Sequence, residues 1–129
     1  MTKATRPAAP SPTAAELAIL KVLWKRGPAT VREVHDELGA DTGYTTVLKT
    51  MQIMADKRLV SRDESSRSHV YAPLVQPAPT ETRLVAELMD KAFEGSAGRL
   101  AIRALSTGKA SKEELAEVRR LLESLEDEA

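Results

Sequence analysis

At 129 residues, the chain is long enough for one small domain and an appendage and too short for a multi-lobed enzyme. It has no Cys, which removes disulfides, thiolate metal sites and cysteine nucleophiles together, and aromatic residues make up only 3 % of it, so a core must come from Leu, Val, Ile, Ala and Met. Nineteen Lys/Arg balance nineteen Asp/Glu, but the halves differ: eleven against eight up to Ala72, and the reverse beyond it. So modest a core predicts that further stability comes from burying surface against a second copy. No apolar run reaches bilayer length and the first residues carry no signal-peptide core, so a cytoplasmic protein without membrane insertion is expected, with residues 1–12 a disordered tail.

Thr13-Ala14-Ala15-Glu16 is a capping box that opens the first helix. Leu17, Leu20, Leu23 and Trp24 lay an apolar stripe along it, and Gly27-Pro28 stops it. Thr30-Val31-Arg32-Glu33 is a second box, opening a short helix with Val31, Val34 and Leu38 on one side and Gly39 at its end. After a loop with two glycines, Tyr44 to Lys57 resumes helical spacing through Val47, Met51 and Met54. Two short helices joined by a tight turn and preceded by a longer one form a helix-turn-helix pattern.

Beyond Arg58 the period changes. Leu59 to Asp63 and Ser68 to Ala72 read as two short strands joined by a polar tip, Glu64-Ser65-Ser66-Arg67. Three helices followed by a β-hairpin make a winged helix. Pro73, Pro77 and Pro79 then predict an extended linker. From Thr80 helices return: Leu84, Val85, Leu88, Met89, Ala92 and Phe93 form one apolar face, and Leu100, Ala101, Ala104 and Leu105 another between Ser96 and Leu105. Ser111-Lys112-Glu113-Glu114 is a third capping box, ahead of a short seam of Leu115, Val118, Leu122 and Leu125. The expected architecture is mainly α with a small β-hairpin wing. Residues 13–76 form a winged helix-turn-helix and residues 77–129 a three-helix dimerisation region, with Leu84, Leu88, Phe93, Leu100, Leu105, Leu115, Val118, Leu122 and Leu125 as its contacts.

The third helix of such a unit points its first turn and outer face into a DNA major groove. With Val47, Met51 and Met54 turned inward, Tyr44, Thr45, Thr46, Leu48, Lys49 and Gln52 are left to the groove. Thr hydroxyls bond phosphates or base edges, Thr methyls and Leu touch thymine methyls, Gln pairs with adenine, and Lys reaches a phosphate or guanine. Taken singly, Thr45 and Thr46 are ordinary helix caps and Lys49 and Gln52 ordinary solvated residues; their place on the third helix is what singles them out. Arg62, Ser66 and Arg67 of the wing are candidates for backbone or minor-groove contacts. His35 and His69 have no partner at metal-ligand spacing, and no metal or cofactor is expected. Nor is an enzyme: there is no Gly-rich phosphate loop and no paired ligand motif.

Leu23-Trp24, Val31-Arg32-Glu33-Val34-His35, Tyr44-Thr45-Thr46-Val47, Lys57-Arg58-Leu59-Val60 and His69-Val70-Tyr71-Ala72-Pro73 together resemble the penicillinase-repressor (BlaI/MecI-type) family, from about Thr13 to the C-terminus. The resemblance implies a homodimer that binds a palindromic operator in double-stranded DNA and represses β-lactamase or related resistance genes. It also implies release through a membrane-bound antirepressor protease that cuts the dimerisation region. The position matching the family's Asn-Phe cleavage bond falls near Arg103-Ala104 here, a departure from that pattern. Copper-responsive relatives carry a C-terminal cysteine cluster that this chain lacks. Two other readings of the residues stay open: a winged helix that binds protein rather than an operator, with the acidic arm as its interface, and an activator or ligand-responsive regulator.

Overall fold

A computed structural model describes residues 11–129; all but the last two residues of the expected tail lie outside them. The described elements, in order, are α1 (Ala14–Arg26), β1 (Ala29–Thr30), α2 (Val31–Leu38), α3 (Tyr44–Asp56), β2 (Val60–Asp63), β3 (Val70–Pro73), α4 (Pro77–Ala92), α5 (Ala97–Leu105) and α6 (Lys112–Glu128). The chain is mainly helical with one small antiparallel sheet, and it divides into two units at Leu84/Val85.

The helix ends of the first unit follow from local chemistry. Thr13 Oγ1 accepts from the Glu16 amide while Glu16 Oε1 accepts from the Thr13 amide, and Thr30 and Glu33 repeat the exchange at the start of α2. Gly27 and Gly39 close α1 and α2 at φ of +93° and +95°, a backbone that side chains with a Cβ rarely adopt. α3 ends differently: Lys57 is its C-cap and Arg58 takes φ +65°, turning the chain into β2 without a glycine.

Ile19, Leu20 and Leu23 of α1, Val31 and Val34 of α2, and Val47, Met51 and Met54 of α3 converge on Leu59, Val60 and Tyr71 to form the core. The hairpin is present as expected, with Arg62 opposite Tyr71 and Asp63 opposite Val70. The sheet has a third strand that the sequence did not betray: β1 pairs with β3, Ala29 opposite Tyr71, so the strand order is β1-β3-β2. Trp24 Nε1 donates to the Val75 carbonyl at 2.9 Å and pins the exit from the wing onto α1.

The expected linker is shorter than Pro73, Pro77 and Pro79 suggested. Pro77 and Pro79 fall in the first turn of α4, where backbone amides have no intrahelical acceptor, so the missing N–H groups cost nothing there. Thr80, almost fully buried, reaches back with Oγ1 to the Gln76 carbonyl and secures that turn.

Glu16 does more than cap α1. It is 3 % exposed, and its Oε2 accepts from Lys57 Nζ at 2.8 Å, joining the start of α1 to the end of α3. Burial pushes its carboxyl up, but the Lys57 ammonium and the Thr13 hydrogen bonds outweigh that and hold it below the ordinary 4.5. A depressed folded value means that the carboxylate contributes stability above the unfolded pKa and loses it as the pH falls through the folded one. Glu16→Gln is therefore expected to cost about 1 kcal/mol at neutral pH, a figure kept low by the partial solvent access of Lys57. Urea midpoints at pH 7 and at successively lower pH should show the gap between wild type and variant closing on acidification; a gap independent of pH would contradict the ion pair.

In the second unit α5 starts at the Ser96 cap and α6 at the Ser111–Glu114 capping box. No residue of α5 or α6 is buried. Leu88, Leu105, Leu115, Leu122 and Leu125 are all exposed, and so are Val85, Ile102 and Leu121, while Leu84, Phe93, Leu100 and Val118 are half-buried. Arg103 and Ala104 stand exposed in the last turn of α5.

Candidate nucleic-acid interface

α3 has two faces set by its period. Val47, Met51 and Met54, each at most 1 % exposed, anchor one face in the core, leaving Thr45, Thr46, Lys49 and Gln52 exposed on the other. Leu48 differs from the rest of the expected set. It is half-buried against the core, so only part of its side chain is left exposed. Thr50, between the faces, spends its hydroxyl on the Thr46 carbonyl at 2.7 Å.

The Thr45 and Thr46 hydroxyls do not cap α3. Its N-cap is Gly43 and no side chain bonds the first-turn amides, whereas side chains cap α1, α2, α5 and α6. The first turn of the outward helix therefore presents both hydroxyls and free amide donors, the groups that bind phosphate at helix N-termini.

Tyr44, at the head of α3, is held from two sides. The Arg32 guanidinium sits 5.4 Å from its ring centroid, and the His35 ring meets it edge-on at 5.8 Å and 81°. His35 Nε2 lies 2.8 Å from the Thr42 carbonyl; a carbonyl only accepts, so Nε2 carries the proton. That bond ties α2 to the loop leading into α3.

Beside this stack lies an open cleft of about 420 Å³, walled by Thr30 of β1, by Val31 and Arg32 of α2, by Tyr44, Leu48 and Gln52 of α3, and by Arg67 to His69 and Tyr71 of the wing. Its described lining contains two arginines and a histidine but no carboxylate. A concave surface of that composition attracts anions.

The three wing candidates separate. Arg62 is engaged within the wing: the Tyr71 side chain and the Glu64 carboxylate, 2.6 Å from Nε, raise its pKa above the ordinary value. Ser66 donates its hydroxyl to the Ser68 carbonyl across the tip. Arg67 faces the cleft, and among the described residues no carboxylate lies within ion-pair distance of it. Arg32 and His69 were not among the residues expected at the site. Each stands in an ordinary local context, Arg32 within a capped helix start and His69 beside a strand, and only the packing of α2 and the wing around α3 brings them together.

Among the described residues no three His, Cys, Asp or Glu gather as a metal site, and no helix is long and apolar enough to cross a membrane.

The chain is similar to known proteins over most of its length. The family profile described as "Penicillinase repressor" matches residues 12–124. "Transcriptional regulator BlaI" of Mycobacterium tuberculosis, from strains CDC 1551 / Oshkosh and ATCC 25618 / H37Rv, is 38 % identical over 117 residues, covering 86 % of this chain and 82 % of the relative. A solved structure, "Solution structure of the DNA binding domain of the repressor BlaI", aligns with 55 % of this chain and 89 % of that domain at 25 % identity and a TM-score of 0.49.

Proposed function

This chain belongs to the penicillinase repressor family, and from that premise we propose that two copies bind a palindromic operator in double-stranded DNA and block transcription of β-lactam-resistance or related genes until an inducing signal releases them. It is a DNA-binding transcription regulator and not an enzyme. The observation that carries the proposal is the division of α3, whose buried Val47, Met51 and Met54 hold Thr45, Thr46, Lys49 and Gln52 outward beside a cleft free of described carboxylates.

One such face makes few base contacts, each worth about 1–3 kcal/mol of discrimination, so a specific site requires two linked faces. Residues 13–76 supply the reading head in this account and residues 77–129 the link. The apolar side chains left exposed on α4, α5 and α6 support that assignment, because isolated helices with no buried residue lack the packing that sustains most helices in proteins. Separating the two copies then releases DNA without altering α3. A membrane-bound antirepressor protease acting near Arg103 and Ala104 is one route; because both lie in the last turn of α5, the cut requires that turn to open.

Selection of bound duplexes from a randomised pool tests the function. Enrichment of an inverted repeat, bound with an affinity that falls steeply as salt rises, is the expected outcome. An unenriched pool with salt-independent retention would favour a protein-binding winged helix instead. On the selected duplex, Lys49→Ala should weaken binding several-fold and leave the melting temperature unchanged, since Lys49 is solvent-exposed; unaltered affinity in a fluorescence titration would remove α3 from the interface.

A further inference from the structure

Given a duplex read by α3, we propose that the cleft between α2, α3 and the wing seats the sugar-phosphate backbone at the rim of the groove, with Arg32 as its anchoring cation and Tyr44 as the residue that positions Arg32. This step rests on the DNA-binding reading above and adds a contact from α2, Arg32, to those expected of the reading helix and the wing tip.

Three observations carry it. The cleft has about 420 Å³ of open space bordered by Arg32 on one wall and Arg67 and His69 on another, with no carboxylate in the described lining to compete for them. Arg32 is exposed and forms no described ion pair, whereas Arg26, Lys57, Arg62 and Arg99 are all engaged by glutamates. Its guanidinium is not loose, because it rests 5.4 Å from the Tyr44 ring centroid, and Tyr44 is itself braced by His35, which is bonded to the Thr42 carbonyl. A cation held on an aromatic face loses less rotamer freedom when it binds, and guanidinium matches a phosphodiester through paired donors. Tyr44 opens α3, so the same ring that holds Arg32 fixes it against the first turn of the reading helix.

A backbone contact is independent of base sequence, so the probe is a mixed-sequence duplex of about three helical turns, titrated with the full chain from about 50 to 200 mM salt. Each phosphate neutralised contributes ~0.9 to the slope of log affinity against log salt. Arg32→Gln is expected to reduce that slope by ~0.9 for each copy bound. Lys25→Gln, an exposed charge in the last turn of α1 away from the cleft, should leave the slope as it is. Tyr44→Leu should lower the slope in the wild-type background and lower it no further when Arg32 is already Gln, the non-additivity expected of a residue acting through another. Melting curves for each variant separate loss of contact from loss of fold.

A wild-type slope for Arg32→Gln alongside weakened binding by Lys49→Ala would overturn the cleft while leaving the reading helix intact. Equal slope losses from Arg32→Gln and Lys25→Gln would reduce the effect to diffuse charge and overturn it too. Additive losses from Tyr44→Leu and Arg32→Gln would remove Tyr44 from its positioning role. A wild-type chain that shows no salt-dependent binding would sink the cleft and the DNA-binding function together.

Discussion

The double substitution Leu88→Asp/Leu122→Asp is expected to leave the chain monomeric at micromolar concentration and to lower its affinity for the selected duplex by about 10²–10⁴-fold. Linking two reading heads turns the second binding event into an intramolecular one at an effective concentration far above that of free protein, and the substitution removes that advantage without touching α3. Leu88 and Leu122 are 47 % and 53 % exposed in the single chain, so a charge there meets water in the monomer and becomes costly only when a second copy covers it. The core of Leu20, Val34, Met51 and Tyr71 lies entirely in the unit that ends at Leu84, so its melting transition should survive the change. Sedimentation together with the duplex titration checks both halves. A monomer that retains full affinity, or a dimer that survives two buried aspartates, would contradict the proposed division of labour.

Met51→Ala should act in the opposite way, lowering stability by about 3 kcal/mol and the melting temperature by roughly 10–20 °C. Met51 is fully buried, at the centre of the face that seats α3, between Val47 and Met54. Truncating it removes apolar contact and leaves a cavity that Leu20, Val34 and Tyr71 can only partly fill, held as they are in α1, α2 and β3. Two positions earlier on the same helix, Lys49→Ala should do the reverse: weaken binding and spare stability. Calorimetry beside duplex titration distinguishes them, and a Met51→Ala chain that melts like wild type would mean that α3 is not anchored as described.

Those two neighbours show what a sequence can reveal. Val47, Met51 and Met54 repeat at helical spacing and announce the buried face, and Thr13/Glu16, Thr30/Glu33 and Ser111/Glu114 mark helix starts because a capping box involves residues only three apart. Features made by distant partners stayed hidden. β1 is two residues long and exists only because Tyr71 and Val70 lie alongside it. The second role of Glu16 depends on Lys57, forty-one positions away. Pro77 and Pro79 suggested an extended linker because proline opposes helix interiors, yet the first turn tolerates it, and spacing alone does not say where a first turn begins. At the candidate site the outward set on α3 was legible from phase, apart from Leu48, which sits at the border between faces and leans on the core. The engagement of Arg62 by Glu64 and Tyr71, and the approach of Arg32 to Tyr44, are products of the wing and of α2 folding against α3.

Hydroxyl-radical footprinting of the wild-type chain on its selected duplex tests the central claim most directly. Two protected patches of equal size, on one side of the duplex and separated by about 10 bp or a multiple of it, are the result that a pair of outward-facing third helices requires. A single patch at saturating protein, or protection with no helical phase, would show that this chain does not read DNA as a linked pair of α3 faces.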